Sequence, residues 1–391
     1  MKQYNFDSLI NRENTACVKY DLRKVIFGKE DVVPMWVADM DIPTPNFILD
    51  AIQSRCNHPF LGYTFRDEAY NNAIINWYEN RHNWKIQPGW IEFCPGVVSG
   101  LNHIIRAYTK PDDRIIIQPP VYHPFFSTAE NNGRKLVFNP LLENDGNYSI
   151  NFDELETVAK GAKMLILSNP HNPVGRVWTR DELRRVGEIC VKHNVLIVSD
   201  EIHSDLVYKP FEHISIASIS EEFAQNTVTF GSSSKTFNIA GLSSGFVIIP
   251  NQELMKRYKH ELEASGAGMG NIFGNEALKA AFTKQGEGWL NELLDYFTEN
   301  INLVDSTLKQ GLPKVKFVKP QGTYLLWIDF RALGIEDSTL NKLLINEAGL
   351  GFNAGNGFGT EGIGFQRINI ACPRATVQLA LDRLIDTFKN Y

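Results

Sequence analysis

MLILSNPHNPVGRVWTRDELRRVGEICVKHNVLIVSDEIHSDL (Met164–Leu206) joins two short apolar segments through an amphipathic stretch. Met164–Ser168 and Val195–Asp200 read as buried strands, and Asp181–His193 between them reads as a helix. Strand, loop, helix and strand in that order form the unit of a parallel sheet covered by helices. The alternation continues in both directions. Arg114–Gln118, Thr227–Phe230 and Gly245–Ile249 are further strand candidates, and Ser99–Tyr108 and Val121–Asn131 further helices. The pattern predicts an α/β core that begins near residue 90.

Beyond about residue 290 the pattern changes. Long helical stretches (Trp289–Gln310, Asp337–Ala348, Ala375–Asn390) alternate with strand-like Thr323–Phe330 and Gly364–Ala371, as in an α+β module. A chain of 391 residues is longer than one hydrophobic core usually grows. Two domains are therefore expected: a large one over 46–285, and a smaller one built from 1–45 and 286–391. No repeat or Pro/Gly-rich linker separates them, so they are expected to pack closely.

The net charge of −6 provides no basic field for a phosphate backbone, so nucleic acid is not an expected partner. Five scattered cysteines without CxxC spacing suggest neither a disulfide framework nor a thiolate metal site, and fit a reducing cytoplasm. The first residues, MKQYNFDSLINRENTACVKY, lack the apolar core of an export signal, and no apolar run is long enough to span a bilayer. A protein neither exported nor embedded in a membrane is expected.

In an open parallel sheet, ligands sit beyond the carboxyl ends of the strands, so the loops there are the place to look for chemistry. VLIVSDEIHSDL ends its strand on Asp200, with His203 close behind. TVTFGSSSKTFNIAGL follows its strand with Ser232, Ser234 and Lys235. MLILSNPHNPVG opens into a stiff loop around Asn172, and FCPGVVSGLNHIIRAY sets Gly96 before a helix whose first amides face an anion. Each feature has an ordinary explanation, as a turn cap, a solvated lysine, a rigid turn or a plain helix start. Together they match a more specific demand. A lysine for an imine, a carboxylate to keep a pyridine nitrogen protonated, and anion-binding groups for a phosphate are what pyridoxal 5′-phosphate (PLP) requires.

On these motifs the chain resembles the fold-type I PLP enzymes, the aspartate aminotransferase superfamily, from about Val33 to the C-terminus. The resemblance implies the PLP-dependent transferase fold: a large domain with a mostly parallel sheet covered by helices, and a smaller α+β C-terminal domain. It implies Lys235 as the Schiff-base lysine, Asp200 as the pyridinium partner and Asn172 as a donor to the ring hydroxyl. His203 stands where many relatives carry tyrosine. Tyr122, in QPPVYHPFF, matches the aromatic residue that stacks on the cofactor, while Ser232, Ser234 and the amides of Gly96, Val97 and Val98 match its phosphate-binding groups. Tyr63, in LGYT, matches a tyrosine that reaches the neighbouring subunit's cofactor, which implies a homodimer with shared sites and a catalytic part for Tyr63. Arg367, in GFQRINIACPR, matches the arginine on the substrate α-carboxylate, a task suited to a two-pronged guanidinium. Tyr324, Ala38 and Asn172 complete the expected substrate side.

One departure narrows the resemblance. Where many relatives place an arginine on the phosphate, this chain has Ser243, in NIAGLSSGF. That absence, with PMWVADMDIPTP (Pro34–Pro45) and QGTYLLWIDF around Tyr324, resembles the bacterial cystathionine β-lyase or cysteine C–S lyase branch. The implied reaction is α,β-elimination from L-cystathionine, L-cysteine or related S-conjugates, giving a thiol, pyruvate and ammonia. An aminotransferase shares the steps up to the carbanion and is the alternative; a third is a PLP-fold binding or regulatory protein without turnover.

Other signals lose on context. Gly357-Phe-Gly-Thr-Glu-Gly362 has dinucleotide-motif spacing but precedes a strand instead of opening a helix, and Gly241-Leu-Ser-Ser-Gly245 has a strand where a nucleophile elbow needs a helix. Asp39 and Asp41 lack a third ligand, and the nine histidines show no HExxH pairing, so no metal is expected.

Overall fold

The computed structural model describes residues 4–391. Its main sheet has seven strands: β1 (Ile91–Cys94), β2 (Arg114–Ile117), β3 (Lys135–Phe138), β4 (Ala162–Ser168), β5 (Leu196–Asp200), β6 (Thr227–Gly231) and β7 (Gly245–Ile248). They lie in the order β1-β7-β6-β5-β4-β2-β3. Neighbours pair in parallel except at β7, which runs antiparallel to both β1 and β6. The α/β reading holds, with this one reversal inside the sheet. Two strands are absent from the sequence expectation, β1 and β3, and both are edges of only four residues.

The apolar runs owe their lack of alternation to burial on both faces, as parallel strands under helices require. In β4, Leu165 and Leu167 join a core with Trp178, Leu183 and Val186. Met164 and Ile166 point the other way, into a core with Leu101, Ile104 and Ile105. The helices on these faces are α1 (Val97–Tyr108) and, at the other side, α2 (Arg180–Lys192). Helix α2 starts at Thr179 because a capping box closes it: Thr179 Oγ1 accepts from the Glu182 amide at 3.2 Å, and Glu182 Oε2 accepts from the Thr179 amide at 2.8 Å. The helix expected at Val121–Asn131 begins only at Pro124, since residues 121–123 cross in a loop.

Helix α3 (Lys284–Gly311) carries Trp289, Leu293, Phe297, Ile301, Val304 and Leu308 on one buried face, the three-and-four spacing of an amphipathic helix. It packs in one core with Leu326, Ile328 and Ile368 of a second, antiparallel sheet. That sheet orders β8 (Lys316–Phe317), β9 (Leu325–Asp329), β11 (Phe365–Asn369) and β10 (Asn353–Ala354). The N-terminal segment is threaded onto it. Val33–Pro34 pairs with Leu350–Gly351 as a separate two-stranded sheet, the Asn369 amide of the second sheet donates to Met35 O at 2.9 Å, and the Asp41 amide donates to Ala371 O, just past that sheet, at 2.8 Å. Residues 35–41 are thereby laid along the second sheet. None of the helices among the described residues is long and apolar enough to cross a membrane.

Candidate active site

Strand β5 delivers Asp200 at its last residue, where only 6% of the residue is exposed. One donor reaches it, the Ile202 amide at 3.3 Å from Oδ1. Burial pushes its carboxyl up to about 7, against the pull of the nearby Lys235. His203 is buried with Nδ1 unpartnered, and burial followed by the charge of Lys235 lowers its pKa to about 3, so its ring is neutral.

Strand β6 runs into the turn that carries Lys235. Burial, then the positive charge of Arg367, lowers the Lys235 amine to about 8. Its Nζ donates to Ala38 O at 2.6 Å, and Tyr324 Oη donates to the same oxygen at 3.0 Å. Ala38 therefore joins the site through its backbone. Next to the lysine, Thr236 Oγ1 donates to the buried Asp205 at 2.9 Å, which also accepts from Trp77 Nε1 at 2.9 Å.

Arg367 lies in the middle of β11, directly opposite Asn353 of β10. Its Nη2 donates to Asn353 Oδ1 at 2.6 Å and to Trp36 O at 2.9 Å, and its Nη1 to Asn172 Oδ1 at 3.2 Å. Nε keeps no partner, and burial lowers the guanidinium to about 10, still a cation at neutral pH. Asn172 is held by its own amide donating to Ser168 Oγ at 3.2 Å. Tyr122, partly buried, is close enough for its phenol pKa, raised by burial, to feel both Arg367 and Asp200.

Ser232 and Ser234 sit beside the start of β7. Ser232 Oγ donates to Ser244 O at 3.0 Å and lies 2.9 Å from Ser234 Oγ. Gly245, paired with Cys94, lets these segments meet: a Cβ there would lie 3.1 Å from Gly231 O and 3.5 Å from both Cys94 O and Ser232 Cβ. Gly96, two residues beyond β1, takes φ 125° as the N-cap of α1, a conformation suited to glycine. The first amides of α1, at Val97 and Val98, are left without a side-chain cap. Ser243 is in a left-handed turn at φ 45°.

Tyr63 stands apart. It is 98% exposed, in a segment where Phe60, Leu61 and Phe65 are exposed as well, and it does not join the site of its own chain. Asp39 and Asp41 pair with Arg12 and Lys19, and no cluster suited to a metal ion occurs among the described residues. The sequence reading missed Asn353, Trp36 and Asp205, which hold Arg367 and the residue after Lys235. Asn353 belongs to no motif; Trp36 acts through its carbonyl, which no residue type announces.

These residues fit PLP on structural grounds. A buried carboxyl that accepts a single amide hydrogen bond has an oxygen free for a protonated ring nitrogen, His203 Nδ1 is a buried polar atom without a partner, and uncapped helix amides next to two serines suit a phosphate. Known proteins point the same way. The family model "aminotransferase class I and II" matches residues 31–384. Cystathionine β-lyase PatB of Bacillus subtilis is 43% identical over 97% of this chain and 98% of its own. Cystalysin of Treponema denticola, whose crystal structure contains a pyridoxal 5′-phosphate cofactor, superposes with TM-score 0.96 at 37% identity, covering 99% of both chains. The PLP-bound C-S lyase of Staphylococcus hominis gives TM-score 0.93 at 33% identity over 99% of this chain and 98% of that one. The chain therefore belongs to the class I and II aminotransferase family of fold-type I PLP enzymes.

Proposed function

We propose that this protein is a PLP-dependent carbon–sulfur β-lyase that cleaves L-cystathionine, L-cysteine or a related S-conjugate to a thiol, pyruvate and ammonia. The observation that carries the reading is the 43% identity to PatB along nearly the whole of both chains. The site's geometry supports the same assignment of roles.

Lys235 would hold the cofactor covalently, Asp200 its ring nitrogen, Asn172 and His203 its ring hydroxyl side, Tyr122 its ring face, and Ser232, Ser234 and the amides at Gly96–Val98 its phosphate. Bound there, PLP supplies the electron sink for the charge left at the substrate α-carbon. Arg367 takes the α-carboxylate, using the fork that Asn353, Asn172 and Trp36 O aim. Lys235 Nζ, lowered to about 8 by burial and by Arg367, exists partly as the free amine near neutral pH and takes the α-proton. Ala38 O holds that amine in place between proton transfers, and Tyr324 Oη donates to the same oxygen.

Tyr63 belongs to the site of a second copy in a homodimer, a reading supported by its exposed apolar neighbours. The division into a 46–285 unit and a unit of 1–45 with 286–391 is supported by the confinement of the main sheet to 91–248 and the second to 316–369. Five free cysteines support a cytoplasmic site of action.

The test is incubation of purified holoenzyme with L-cystathionine, and separately with an amino acid plus a 2-oxo acid. Pyruvate release with the first is expected. Robust amino transfer without pyruvate release would instead establish the aminotransferase reading, which the family name favours.

A further inference from the structure

Residues 36–42 form a strap whose backbone oxygens accept from side chains on all sides of it, two of them in the site. Arg367 takes Trp36 O, and Lys235 takes Ala38 O. Asn369 Nδ2 donates to Val37 O and Asp39 O, both at 2.6 Å. Asn238, three residues past the lysine, donates to Met40 O at 3.0 Å and Ile42 O at 2.8 Å, and its Oδ1 accepts from the Met40 amide at 2.9 Å. The carbonyls that aim the lysine and the arginine are thus properties of the strap's position, not of any side chain at those places.

The strap's two charges are both met from the N-terminal segment. Arg12 Nη2 lies 2.6 Å from Asp39 Oδ2, and its Nη1 lies 2.5 Å from Asp41 Oδ1 and donates to Met40 O at 2.9 Å. Lys19, only 1% exposed, places Nζ 2.8 Å from Asp41 Oδ2 and 3.7 Å from Asp39 Oδ1. Trp36 Nε1 closes the arrangement by donating to Lys19 O at 3.1 Å. An ammonium buried this fully is stable only when paired, so the contact has one geometry and not many.

We infer that Arg12 and Lys19 are positioning residues for the reaction: by clamping Asp39 and Asp41 they fix the strap, and through it the Ala38 and Trp36 carbonyls that aim Lys235 and Arg367. Neither touches the reacting atoms. The clamp also governs charge at the site, because Asp39 is near enough to favour the protonated Lys235 amine and Arg12 offsets it. The inference rests on the roles assigned above to Lys235 and Arg367.

The test compares holoenzyme of the wild type with Arg12→Gln, Arg12→Lys and Lys19→Met. Arg12 is partly exposed, so Arg12→Gln is the variant expected to fold even if loss of the buried Lys19 ammonium does not. In Arg12→Gln, hydrogen exchange is expected to quicken in peptides covering 34–45 and to stay unchanged in β4 and β5. With L-cystathionine, kcat is expected to fall about 10–100-fold, the scale of an ångström-sized misplacement. KM should move less than kcat, the acid limb of kcat/KM should shift to higher pH, and Arg12→Lys should recover part of the loss. Unchanged strap exchange with unchanged kcat overturns the inference. So does exchange that quickens everywhere with kcat per folded enzyme intact, which marks a purely structural contact. A wild type that releases no pyruvate contradicts the lyase reading instead; hydrogen exchange in 34–45 then still separates a clamp that fixes the strap from one that does not.

Discussion

Lys235 Nζ and the carbonyl oxygen of Ala38 lie 2.6 Å apart across 197 residues of chain. Val33–Pro34 pairs with Leu350–Gly351, and Met35 O accepts from the Asn369 amide of the second sheet, so contacts far from the lysine in sequence set where the strap presents its acceptor to the amine. Tyr324 Oη on the same oxygen leaves the amine a single well-defined acceptor. Lys235→Ala removes both the covalent anchor and the base. Turnover of L-cystathionine is expected to fall by at least the roughly 10²–10⁴-fold that a positioned proton-transfer group contributes. The borohydride-reducible link to PLP should vanish, while far-ultraviolet circular dichroism stays that of the wild type. Normal activity in this variant would overturn the site assignment.

Asp200 makes a prediction about pH. Burial raises its carboxyl from 3.8 to about 7 in the protein without cofactor. The native state therefore holds a proton that the unfolded chain has released between those values. The stability this contributes is complete below about 3.8 and is lost as pH rises through about 7. Asp200→Asn abolishes the titration. By chemical denaturation of the cofactor-free proteins, the variant should gain on the wild type as pH rises from 5 to 8, by a few kcal/mol. Adding PLP should narrow the gap, since a cationic ring nitrogen stabilises the aspartate but not the amide. A gap that does not change with pH would show that Asp200 is not the buried acid described.

Much of this site was readable because its groups follow strands. Asp200 and Lys235 each come at or just after a buried run, and β4 and β5 announce themselves by apolar side chains on both faces. The edge strands were less legible: β3, with no buried residue, lacks the burial on both faces that marks β4 and β5. The reversal of β7 leaves no trace in its composition, because GFVI is buried whichever way it runs. Asn353 was illegible for a different reason. It meets Arg367 through the register of β10 on β11, a relationship between strands and not within one.

Arg367 is aimed by three acceptors, and a lysine has one ammonium to satisfy them. Arg367→Lys leaves Asn353 Oδ1, Asn172 Oδ1 and Trp36 O competing for it, and cannot present a fork to a carboxylate. Losing one charge-assisted hydrogen bond costs about 1.5–3 kcal/mol. KM for the amino acid should accordingly rise roughly 10–100-fold, with a smaller change in kcat. Steady-state kinetics over a range of L-cystathionine checks this. An unchanged KM would mean that the α-carboxylate is bound elsewhere.

Tyr63 supplies the test of shared sites. At 98% exposure it makes no use of its own chain's site, yet an exposed tyrosine among Phe60, Leu61 and Phe65 is costly to leave in water. If the ring completes the site of a second copy, Tyr63→Ala and Lys235→Ala should each be nearly inactive while carrying complementary defects. Unfolding and refolding them together in equal amounts makes half of the dimers hybrids. Each hybrid has one site with the intact lysine of one subunit and the intact tyrosine of the other, so the mixture should recover about a quarter of wild-type activity. Gel filtration of the same mixture should show a single dimer peak. If each site draws its tyrosine from its own chain, every site in the mixture is defective and no activity returns.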